Sequence, residues 1–149
     1  MRNGWAAAAI GFVVFNATTA AATEEESELR CERFIDGGVV AEVHSYPAHI
    51  AVDTYIFNDS ETRTLTVTSI HDWPRSAVPT HVSIDVEPGV SIGGTSYFTL
   101  EGYEQCASLA GHEQRARTGQ PIRLKTFAEV LTSTGEKAKC VARVICHNG

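Results

Sequence analysis

Methionine is almost missing from this chain. Met1 is the only one, so copper handling by clustered thioethers is excluded. There is no Cys-x-x-Cys pair, no His-x-His pair and no Glu-His zinc-enzyme motif, so the usual signatures of a zinc ribbon or zinc hydrolase are missing. Ser45, Ser60 and Ser91 stand outside any Gly-x-Ser-x-Gly elbow, which removes the standard signal of a serine hydrolase. Positive charge is scarce, with 12 basic residues against 18 acidic. That balance argues against nucleic acid and against an anionic membrane surface, since both need a basic face. No apolar run reaches the roughly 20 residues of a membrane span.

The longest such run, 5–15, has a different meaning. It follows Arg2, ends at the polar Asn16-Ala17-Thr18-Thr19, and is succeeded by Ala20-Ala21-Ala22, the small-x-small pattern of a signal peptidase site. Residues 1–22 therefore read as a signal peptide, 23–29 as a flexible acidic leader, and 30–149 as one domain. Export, secreted or periplasmic, sets the meaning of the four cysteines. An even number in an oxidising compartment reads as two disulfides.

From Leu29 onward the hydrophobic pattern has period two, rich in β-branched and aromatic residues. Strands are expected over 31–44, with a break at Gly37-Gly38 as the alternative, and over 49–57, 62–70, 81–86, 96–103, 121–131 and 137–147. Asn58-Asp59-Ser60-Glu61, Glu87-Pro88-Gly89, Gly93-Gly94 and Ser133-Thr134-Gly135 read as turns between them. Asn58-Asp59-Ser60 is also a glycosylation acceptor in a eukaryotic secretory pathway. Helix has support only over 106–117.

This pattern gives an all-β fold: a seven-stranded antiparallel two-sheet sandwich, with a small barrel as the alternative. The layout resembles an immunoglobulin-like sandwich in architecture. The resemblance rests on strand number and spacing alone, because no cysteine lies in the second or sixth strand and Trp73 sits at the end of the third.

Strand parity constrains the disulfides. Cys140 and Cys146 leave the same face of the last strand and lie roughly 20 Å apart along it, too far for a bond that needs Cα atoms within about 7 Å. With alternating strand directions, Cys31 lies beside Cys140 and Cys106 beside Cys146, which favours Cys31–Cys140 and Cys106–Cys146. The last strand would also offer an edge for β-addition.

The same alternation gathers all six histidines at one end of the sandwich. His44 and His49 flank the turn at 45–47, His71 and His81 bracket the loop that follows Asp72, and His112 and His147 share that end. His44, His49, His71 and His81 are thus candidate zinc or copper ligands, with Asp72 and Glu113 as oxygen donors. The plainer alternative is that exposed strand ends tolerate histidine. Tyr46, Trp73, Arg115 and Arg117 are candidate anchors for a protein or surface ligand, with Trp73 alternatively plugging the end of the core. The expected function is an exported, non-catalytic binding or structural module working through these end loops, without a cofactor. Metal binding is the alternative and a small exported enzyme the third reading.

Overall fold

Period-two alternation sorts the side chains of each strand into a buried and a wet face, and two sheets bury those faces against each other. The computed structural model describes residues 27–149; the expected signal peptide, 1–22, and residues 23–26 of the leader lie outside them. The elements are β1 (Leu29–Ile35), β2 (Val40–Val43), β3 (Ala48–Asn58), β4 (Leu65–Trp73), β5 (Thr80–Val86) and β6 (Ser91–Leu100). Helices α1 (Tyr103–Ala110) and α2 (Glu113–Ala116) follow, then β7 (Ile122–Thr132) and β8 (Lys137–Cys146). Leu29, assigned above to the leader, opens β1 and is buried. Among the described residues no helix is long and apolar enough to cross a membrane.

β1, β3 and β6 form a three-stranded sheet in the order β1-β3-β6, and the other five strands form a sheet in the order β2-β8-β7-β4-β5. All-β and two-sheeted hold; seven strands and a wholly antiparallel pairing do not. The strand expected over 31–44 is two strands in two sheets, which makes eight. Asp36 and Gly37 both take positive φ, 50° and 86°, in a tight turn closed by paired backbone bonds between Ile35 and Gly38. Glycine enters that conformation without steric cost, and the chain steps there from one sheet to the other. β2 then runs parallel to β8, from Val40 beside Arg143 to Val43 beside Cys146. That encloses β8 between β2 and β7, so the last strand has no edge for β-addition.

Both disulfides converge on β8: Cys31 is bonded to Cys140 and Cys106 to Cys146, the pairing that strand parity favoured. The first ties the two sheets together, the second ties α1 over the end of the core. The apolar interior falls into two clusters. Ile35, Leu100, Ile122 and Leu124 centre the larger one, beneath α1, and Leu65, Val67, Val86 and Val130 the smaller. Burying each such side chain is worth about 1.5–3 kcal/mol. Five buried polar residues, Arg33, Asn58, Ser60, Thr126 and Thr132, belong to neither cluster.

Asn58 is a correction to the glycosylation reading. Its side chain is 1% exposed, and its amide nitrogen donates to the Arg63 and Val86 carbonyls at 2.6 and 2.8 Å. It fastens the turn from inside, where no glycan could be attached.

Candidate functional site

Counting across from the Cys31–Cys140 bond, β1 faces β8, β3 faces β7 and β6 faces β4, so β5 projects one strand beyond the smaller sheet. The inner faces of β4 and β5 and the inner face of β6 bound a cleft of about 270 Å³ that opens on this flank. Ile56, Ile70, Ile84, Ile92 and Ala128 make it apolar; Thr54, Asp72 and Ser96 give it one polar end.

Among the described residues, no strand pairs with the edge beside the cleft. Asn58 exchanges backbone bonds with Val90 and Gly89 on the β6 side, while the Ala51 carbonyl accepts from Asp36 on the β1 side. Even-numbered residues of β3 therefore bond towards β6, and register carries this to the even-numbered residues of β6. The backbone groups of Gly93, Thr95 and Tyr97 consequently point to the open edge.

Gly93 and Gly94, read above as a turn, lie inside β6. Each has its own reason to be glycine. The Tyr55 ring lies over Gly93, where a Cβ would come within 2.4 Å of Cδ1 and 2.7 Å of Cε1. A Cβ on Gly94 would point into the cleft and meet nothing within 4 Å. Replacements at these neighbours should therefore act in opposite directions. Gly94→Val is expected to raise Tm by a few degrees, about 0.5–1 kcal/mol from lost unfolded-state freedom and strand preference. Gly93→Ala is expected to lower it, at about 1–3 kcal/mol for displacing the ring. Thermal melts of the two variants check this, and shifts of the same sign would contradict the geometry.

The polar end of the cleft belongs to a buried network. Arg33 points inward between Cys31 and Ile35, its side chain 0% exposed. Its guanidinium donates to Asp72 Oδ1 (2.9 Å), Thr54 Oγ1 (2.9 Å), Thr126 Oγ1 (3.1 Å) and the Trp73 carbonyl (3.1 Å). Burial pulls the guanidinium below its ordinary pKa, against the opposing pull of Asp72. Burial pushes the Asp72 carboxyl up, but hydrogen bonds from Arg75, Ser96 and Arg33 outweigh it and hold the carboxyl below its usual range. Arg75 completes the pair from the exposed side, 2.9 Å from Asp72 Oδ2.

The end loops carry less than expected. Tyr46 is half-buried and its hydroxyl donates to the His147 carbonyl at 2.9 Å. Trp73 is half-buried with its ring stacked on Phe127, centroids 5.8 Å apart. Both are committed to the fold. Arg115 and Arg117 are exposed around α2, with Arg115 bonded to Gln120.

The histidines share neither a site nor an end: register sets His71 level with Lys139 and His81 level with Lys137, near the start of β8, whereas His147 follows its last residue. His49 bonds Thr99 on the three-stranded sheet, His71 bonds the Ser76 carbonyl and abuts Phe127, and His81 lies on β5 across from Ser69. Among the described residues, His44 alone of the four candidate ligands joins a cluster. Its companions are His147 and Glu42, which sequence reasoning missed as ligands. The available signal was Glu42-x-His44 on one strand face and a histidine directly after Cys146.

No family model matches the chain. No curated protein is significantly similar to it either. The acidic total also conceals a local excess: Arg123, Lys125, Lys137, Lys139 and Arg143 alternate outward on β7 and β8, all exposed. This cationic strip is on the face away from the cleft.

Proposed function

We propose that this chain is an exported binding module that accepts an extended segment of a partner protein as an added strand along β6, with alternate side chains of that segment entering the cleft. The observation that carries this reading is the edge of β6, unpaired among the described residues, beside an apolar cleft one strand wide. Main-chain bonds to such an edge supply affinity, and the pockets beside it supply specificity. A second whole sandwich is a poor occupant, because β5 projects beyond β6 and would meet its counterpart. A lone extended segment fits.

The strand order supports an immunoglobulin-like reading of the same flank. β1-β3-β6 follow the order A-B-E, and β8-β7-β4-β5 follow G-F-C-C′. In constant-type members strand D lies beyond E, on the flank that the cleft occupies here. Two disulfides and the 1–22 pattern support export to a secreted or periplasmic setting. The contact surface moves from the end loops, where Tyr46 and Trp73 are occupied, to this flank.

Selection of displayed peptides of about 8–12 residues against the oxidised protein tests the reading, that length matching a typical strand. Enriched peptides should alternate small apolar residues. Their binding should be lost with Gly94→Val, which fills the cleft, and with Thr95→Pro, which removes an edge N–H. It should also persist between about 0.05 and 0.5 M salt, since screening acts on exposed charges. Peptides that bind both variants equally, or whose binding collapses with salt as on the cationic strip, would overturn it.

A further inference from the structure

We infer that Glu42, His44 and His147 form a divalent-cation site of the zinc class. The three come together through the parallel pairing that the sequence did not announce. Val43 lies beside Cys146, and the His147 amide donates to the Val43 carbonyl at 2.9 Å, so the next residue of each strand is set side by side. Glu42 on β2 and His44 directly after it are two apart along an extended chain, hence on one face, and His147 leaves β8 on that same face. The imidazoles of His44 and His147 lie parallel, 7° apart in plane, with centroids at 4.2 Å. Glu42 Oε1 is 2.8 Å from His147 Nε2 and 3.8 Å from His44 Nε2.

One ligand atom from each residue thus lies within 4.8 Å of the others. Zinc bonds of about 2.0–2.1 Å to nitrogen and oxygen need tetrahedral ligands about 3.3 Å apart. Small side-chain rotations close the difference. The scaffold beneath is firm, since the Cys106–Cys146 bond precedes His147 and the Tyr46 hydroxyl holds its carbonyl. Two imidazoles and a carboxylate, with no thiolate, suit a borderline divalent cation and leave a fourth position to water or to a partner's side chain.

This site is at the β2–β8 end of the larger sheet, away from the cleft, so neither proposal depends on the other. Titration of tag-free, oxidised protein with Zn²⁺ alone at neutral pH tests it calorimetrically, alongside Tm. One equivalent is expected to bind and to raise Tm. Glu42→Gln, His44→Ala and His147→Ala should each weaken binding at least about tenfold, as loss of even an outer-shell partner does so. His49→Ala and His71→Ala should leave it unchanged. Circular dichroism separates loss of a ligand from loss of the fold. No saturable binding, or binding undiminished in a His44→Ala/His147→Ala double variant, would overturn the site.

Discussion

Asp72→Asn is expected to cost about 3–5 kcal/mol, the usual penalty for leaving one member of a buried ion pair without its partner. The orphan would be Arg33, whose side chain is 0% exposed and whose other acceptors, Thr54, Thr126 and the Trp73 carbonyl, are neutral. A guanidinium cannot shed its proton to escape. Arg33→Met should cost less, because Asp72 keeps Arg75 and is itself 13% exposed. The double variant Arg33→Met/Asp72→Ala should recover part of the Asp72→Asn loss, since no buried charge then remains. Urea unfolding of the three proteins gives the order. If Asp72→Asn proved the mildest, the pair would not be the anchor that its geometry indicates.

The same carboxylate sets the acid limb of stability. Asp72 is held below its ordinary range in the folded protein. A lowered folded value adds stability above the unfolded value, about 3.9, and that stability is lost as pH falls through the lowered one. Wild type should therefore weaken on acidification below about pH 4 more steeply than Asp72→Asn. Asp59, lowered by its hydrogen bond from Arg30 and fully exposed, leaves a smaller slope in both.

Removing the Cys31–Cys140 bond by a paired Cys→Ala replacement should be comparably severe. Closing a loop of 109 positions corresponds to about 4.8 kcal/mol in the chain-entropy account, and the 40-position Cys106–Cys146 loop to about 3.9 kcal/mol. Both figures are upper values, because the reduced chain retains some compactness. Denaturant midpoints should fall for both, further for Cys31/Cys140. A larger loss at Cys106/Cys146 would mean that seating α1 outweighs loop length.

How much of this was legible beforehand differs by feature. Parity on one strand forbade a Cys140–Cys146 bond, and strand direction alone favoured the partners, since both follow from local geometry. The eighth strand was half legible: Gly37-Gly38 offered a break in 31–44, but the apolar alternation continues around it, so nothing local marked the step to the other sheet. β6 was shortened because two glycines usually mark a turn, and only the Tyr55 ring and the cleft explain them inside a strand. Arg33 sits at an inward position between Cys31 and Ile35, which marks a buried cation, but its acid lies 39 residues further on. Direction alone placed all six histidines at one end, but β4 and β5 are staggered down the sheet, so His71 and His81 are level with the start of β8 and not with His147. Which of them meet depends on strand order within a sheet, and no local pattern encodes that β2 lies beside β8.

The bond between β1 and β8 also decides how this chain answers a mechanical load. Tension applied at its two ends enters at β1, crosses from Cys31 to Cys140, and leaves along the rest of β8. The backbone enclosed by that bond cannot be drawn out while the bond is intact. While oxidised, the module can pay out only the short tails on either side, and behaves as a stiff link in any tethered assembly. Reduction puts the sheets themselves into the load path and turns the link into an extensible one.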